Sequence, residues 1–130
     1  MTRRADLRLE WRAEYGSGNA SLDGQHEDLF RAINEVVEAG CPLALVDELI
    51  TLVMTHFRDE EDLLARLRVP GAEQHTRGHA RLMARFLGLR QDLVDGHTRS
   101  VDALIEFLAK DVVEEHLLRD DRRFFPALSG

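Results

Sequence analysis

The chain places His56 four residues before Glu60 and His75 four residues before His79, on either side of a Pro70–Gly71 break. On a helix, a spacing of four puts two side chains on one face, one turn apart. Each pair can therefore aim two donor groups at one point between neighbouring helices. His26 and His116 occupy the same kind of slot, within apolar stripes, and only His97 falls in a loop, where it is assigned no role. A buried histidine or glutamate is costly unless a partner satisfies it. A lone core histidine usually finds a hydrogen bond, but five of six histidines at core positions are better explained by one shared partner, a metal centre.

Imidazole and carboxylate donors without thiolate suit iron, zinc, copper or manganese. Five histidines and at least one carboxylate are too many for a single tetrahedral zinc, so two metals are indicated. A second carboxylate is expected to bridge them. The segment "EEHLLRDDRRFF" offers Asp120 four residues after His116 and Asp121 five after. Ideal α-geometry favours Asp120, because five residues turn about 500° and leave the face. Asp121 serves only where the helix ends or bulges.

These residues need helices to position them, and the chain is punctuated accordingly. Breakers fall at "YGSGN" (15–19), "GCP" (40–42), "PG" (70–71) and "DGHTRS" (95–100). Between them apolar residues recur with helical period, as in Leu22, His26, Leu29, Phe30, Ile33 and Val37. Pro42 suits the first turn of the second helix, Gly71 follows its end, and Thr98 suits the N-cap of the fourth. Short connections make neighbours antiparallel. The expectation is an all-α chain: one domain over 1–130, an up-down-up-down antiparallel four-helix bundle over about 21–120, an N-terminal arm over about 1–20 and a short C-terminal tail. Trp11 and Tyr15 are expected to pack the arm onto the bundle.

Composition narrows the function. A net charge of −7 with scattered basic residues argues against a nucleic-acid surface or an anionic membrane surface. No apolar run reaches membrane-spanning length, and "MTRRADLRLEW" has no apolar region of a secretory signal, so a cytoplasmic location is expected. Cys41 is the only cysteine, which excludes an intramolecular disulfide, and it reads as inert.

The segments "LDGQHEDLFRAIN", "HFRDEEDLL", "HTRGH" and "HLLRDDRRF" together resemble the hemerythrin family in its single-domain bacterial form, over nearly the whole chain from Leu9 onward. The resemblance implies two iron ions (Fe2+/Fe3+) with a bridging oxo or hydroxo group. It carries His26, His56, Glu60, His75, His79, His116 and Asp121 over as ligands, and its spacing selects Asp121 over Asp120. Glu61 matches the family's paired acids and is expected to point away. The chain departs from the family at Leu64, Val69, Gly78 and Val112, where methionine, tyrosine, glutamate and an aromatic are common; none of these removes a ligand.

Of about twelve positions on two octahedral irons, five histidines, two bridging carboxylates and a bridging hydroxide leave one open. The resemblance implies reversible binding of dioxygen there, for carriage, storage, delivery or sensing through a partner, without enzymatic turnover. Phe30, Leu63, Leu82, Met83, Val112, Val113 and Leu117 are candidates for the dry wall of that pocket. An unidentified protein acceptor fits this reading, and the oligomeric state is open. Two alternatives stand beside it. One is a diiron enzyme with oxidase, peroxidase or nitric-oxide chemistry; the other is an iron or zinc storage bundle.

Overall fold

The computed structural model describes residues 9–129. Four helices form an antiparallel bundle: α1 (Ala20–Glu38), α2 (Leu43–Arg66), α3 (Ala72–Asp95) and α4 (Ser100–Glu106). The last runs without a break into a π-helical stretch (Phe107–Asp120), then a 3-10 turn (Asp121–Phe124) and the short α5 (Phe125–Ser129). No strand occurs among the described residues. Residues 1–8 of the expected arm lie outside them.

Each helix buries one stripe. In α2 the buried positions Val46, Leu49, Ile50, Val53, His56, Phe57, Glu60 and Leu64 recur at spacings of three and four. Consecutive helices pack on one another, and α1 also meets the π-helical stretch, which closes the bundle. Connections of residues 39–42, 67–71 and 96–99 leave no room for anything but antiparallel neighbours.

The first three helices end the same way. Cys41 N–H bonds to Val36 C=O at 2.8 Å, Val69 to Leu64 at 3.1 Å and His97 to Asp92 at 3.0 Å. These six-to-one bonds require a left-handed residue just before the donor. Gly40 (φ 81°) and Gly96 (φ 71°) adopt it freely, whereas Arg68 (φ 52°) takes it at a steric cost of about 1 kcal/mol. Two sequence expectations shift. Pro42 is the N-cap of α2 rather than a first-turn residue, and α4 begins after Arg99, in left-handed conformation, so Thr98 caps nothing.

The core is split in two. The larger cluster includes Leu29, Ile33, Leu49, Phe86, Phe107 and Leu108. A smaller one joins Leu22, Leu64 and Phe124. Along α1, α2 and the fourth helix, His26, Glu60 and Asp121 fall between the stretches that feed the two clusters, and His56 and His116 lie at the adjoining edge of the larger one. The tail is therefore part of the bundle, since Asp121 and Phe124 are both buried. The arm is pinned by Asn34, whose side chain accepts from Leu9 N–H and donates to Leu9 C=O, each at 2.7 Å. Trp11 packs edge-on against Phe30 at 5.4 Å and against Tyr15 at 5.7 Å, as expected of the arm.

Candidate metal centre

All five core histidines turn Nε2 toward one buried layer, and Glu60 and Asp121 lie between them. Their atoms form two groups. In one, His75, His79 and His116 meet one oxygen of each carboxylate. His75 Nε2 is 2.6 Å from Glu60 Oε1 and 2.8 Å from Asp121 Oδ1. His79 Nε2 is 3.3 Å from Glu60 Oε1, and His116 Nε2 is 3.3 Å from Asp121 Oδ1. In the other group, His26 and His56 face the remaining oxygens: His26 Nε2 is 3.4 Å from Asp121 Oδ2, and His56 Nε2 is 3.5 Å from Glu60 Oε2. Within each group the donor atoms lie inside 4.8 Å of one another.

The donor set fits a pair of cations. Glu60 Oε2 and Asp121 Oδ2 are buried with no hydrogen-bond partner. Leaving such oxygens unmatched costs several kcal/mol, on the order of 1–3 each or more for charged groups. Two nitrogen pairs also face each other, His26 Nε2 to His56 Nε2 at 3.2 Å and His79 Nε2 to His116 Nε2 at 2.9 Å, so the rings converge in pairs as two donors to one cation would.

Outer partners fix which nitrogen carries the proton. Gln25 donates its amide to Asp59 Oδ2 at 2.7 Å, which leaves Gln25 Oε1 to accept from His56 Nδ1 at 2.8 Å. Glu61 Oε2 accepts from His79 Nδ1 at 2.8 Å. A neutral imidazole protonated at Nδ1 has its lone pair on Nε2, aimed inward. Phe57 stacks flat on His79 at 3.8 Å, and Phe124 meets His75 edge-on at 4.8 Å, so ring orientations are fixed by packing as well.

Electrostatics follow from this crowding. Burial raises the Glu60 carboxyl, as does Asp121, but its bond with His75 and the nearness of His79 and His56 hold it below its ordinary value. Asp121, despite complete burial, is held well below its own by the nearness of His116, His26 and His56 and by its bond with His75. Burial pulls His75 down, yet its bonds to Asp121 and Glu60 push it up to about 9. Burial drives His116 down to about 4. The layer thus keeps two almost fully buried carboxylates ionised.

Several expectations are revised here. Glu61 does not point away; it holds His79. Asp120, the choice of ideal α-geometry, lies outside both groups, with Oδ2 3.9 Å from His116 Nδ1. Asp121 takes the inner position because the helix is π-wound there. Of the wall candidates, Phe30, Val112, Val113 and Leu117 are buried in the larger cluster, with Leu82 and Met83 packed against it; Leu63 packs instead on the smaller cluster. Gln25, Phe57 and Phe124 were not singled out by sequence reasoning. Cys41 is buried in the α1–α2 connection, and exposed His97 is outside the layer.

Fold and site together define the class: an all-α bundle with a buried histidine–carboxylate metal-binding cluster. The sequence matches the hemerythrin HHE cation binding domain over residues 17–128. It is 28% identical over 116 residues to a hemerythrin-like protein of Naegleria gruberi, covering 89% of this chain and 90% of that one. It is 27% identical over 85 residues to the myohemerythrin of Riftia pachyptila, covering 65% and 71%. Myohemerythrin-1 of Phascolopsis gouldii is 25% identical over 104 residues, covering 80% and 81%. The chain belongs to the hemerythrin family.

Proposed function

We propose that the protein binds dioxygen reversibly at a non-heme diiron centre held by His26, His56, Glu60, His75, His79, His116 and Asp121. The observation that carries the reading is the division of each carboxylate: Glu60 and Asp121 each give one oxygen to the three-histidine group and one to the two-histidine group. Two such carboxylates would serve as shared ligands of two cations, and the two-histidine group offers one donor fewer than its neighbour. Two ferrous ions held there would supply the reversible two-electron chemistry that dioxygen binding needs.

The remaining work belongs to the chain. Gln25 and Glu61 keep the imidazole lone pairs turned inward. Trp11, whose ring centre is 6.3 Å from that of His26, and Phe30 beside it cover the two-histidine side with apolar surface. Excluding water there denies protons to a reduced ligand, which favours release over turnover.

The test is iron content together with the visible spectrum of the ferrous protein before oxygen, after oxygen and after its removal. Two irons per chain and a colour that comes and goes with oxygen are expected. Irreversible oxidation without a lasting colour would shift the function to an oxidase-type enzyme, and one metal or none would defeat the reading.

A further inference from the structure

The outer face of the three-histidine group opens to solvent through a cavity of about 440 Å³. His75 and His116 line its inner part, and Arg77, Arg81 and Arg123 line its mouth. For a chain of net charge −7 this concentration of guanidinium groups is unusual. Asp120, the one acid lining this cavity, and Asp111 are already engaged, whereas Glu115 and Glu73 line only the adjoining grooves. Asp120 lies 3.6 Å from Arg123 and 3.8 Å from Arg119, and Asp111, in the adjoining groove, lies 3.6 Å from Arg85. Neither Arg77 nor Arg81 has an ion-pair partner among the described residues.

Two further features make this a receptive mouth. Gly78 sits between the two arginines in sequence, and a Cβ built there would meet only the Arg81 guanidinium, at 3.8 Å. The mouth is therefore open for want of a side chain, not by loop geometry. Gly71 and Gln74, at the start of α3, also line it, and α3 has no side-chain N-cap, so its positive end adds to the same field.

We propose that this mouth is a binding site for a small oxyanion, a phosphate or phosphate monoester, held by Arg77 and Arg81. Guanidinium forks match tetrahedral oxyanions through paired, charge-assisted hydrogen bonds, and two unpaired arginines beside one opening are arranged for that. The volume exceeds what a bare phosphate fills, so a short organic group is accommodated. The inference does not depend on which metal the cluster holds.

The test is calorimetric titration of inorganic phosphate, and separately of glycerol phosphate, into the metal-loaded protein, with sodium chloride at matched ionic strength as control. One saturable site per chain is expected, absent with chloride. Tighter binding of glycerol phosphate would identify an organic phosphate as the ligand class, and equal binding would identify free phosphate. Affinity should fall at least about tenfold in the R77Q/R81Q double variant. It should fall similarly in G78E, which fills the opening with an acid at a position free of close contacts. Metal content and helicity should stay unchanged in both variants. Absence of a saturable site, or binding that survives both variants while shifting the visible spectrum, would overturn the proposal and place the anion on the metals.

Discussion

The backbone N–H of Asp121 bonds to the carbonyl of His116, five residues back. That single register sets which aspartate enters the cluster. With five residues per hydrogen-bonded step, Asp121 returns to the face of His116, and its Oδ1 comes within 3.3 Å of His116 Nε2. Asp120 is turned to the outer edge, where its side chain is 34% exposed. Asp121→Ala should therefore lose metal, while Asp120→Ala should keep full stoichiometry. Metal per chain by elemental analysis decides it; the reverse pattern would mean that the helix is α-wound in solution.

Much of this site was legible in the sequence, and the missing parts are of one kind. His26, His56, Glu60, His75, His79 and His116 could be read because each interrupts an apolar stripe at helical spacing, a purely local signal. Asp121 could not be chosen from local rules, since the π-winding that brings it inward is set by packing of the whole last helix. Gln25 leaves no trace, because a polar residue beside a ligand looks like any solvated position until α1 and α2 are docked. Glu61 carried a faint signal as the second of paired acids, misread as a surface group. The bundle followed from the breakers, but a left-handed Arg68 and Arg99 have no sequence signature comparable with glycine.

Gln25 and Glu61 fix the tautomers of His56 and His79 and should matter for affinity without being ligands. Gln25→Ala and Glu61→Ala are expected to weaken metal binding by roughly 10–100-fold each. Glu61→Gln keeps an acceptor within reach of Nδ1 and should restore most of the loss. Competition against a chromophoric chelator measures this directly; wild-type affinity in both alanine variants would mean that these contacts do not orient the ligand imidazoles.

In the metal-free protein His75 keeps its proton up to about 9, whereas His116 is neutral down to about 4. A cation binding at neutral pH must displace the His75 proton. Zinc affinity should therefore rise with pH, by up to about tenfold per unit from this residue, and level off above about 9. Stability of the metal-free chain has two edges. The His75 contribution is complete below its ordinary 6.5 and is lost as pH rises through about 9. The His116 contribution is complete above 6.5 and is lost as pH falls through about 4. Calorimetry in buffers of different ionisation enthalpy should find about one proton released from His75 per chain at pH 7. A flat affinity between pH 6 and 9 would contradict the assignment.

Metal removal should cost stability beyond what the apolar core can restore. Without cations, Glu60 and Asp121 are two ionised carboxylates in a layer only 1–2% exposed, each with one oxygen lacking any donor. Any metal that binds the folded chain alone stabilises it by about 4 kcal/mol at a thousandfold excess over its dissociation constant. For a domain of this size that corresponds to a melting temperature higher by at least about 10 °C. Calorimetric scans before and after exhaustive chelation should show this drop, and readdition of ferrous iron under anaerobic conditions should reverse it. The same scan on Glu60→Gln tests the cause. Removing one buried charge while keeping its volume should make the metal-free form of the variant more stable than the metal-free parent, even as it binds metal less well. If chelation left the melting temperature of the parent unchanged, the buried carboxylates would have to be satisfied within the protein, and the orphaned oxygens could not be the reason the site holds cations.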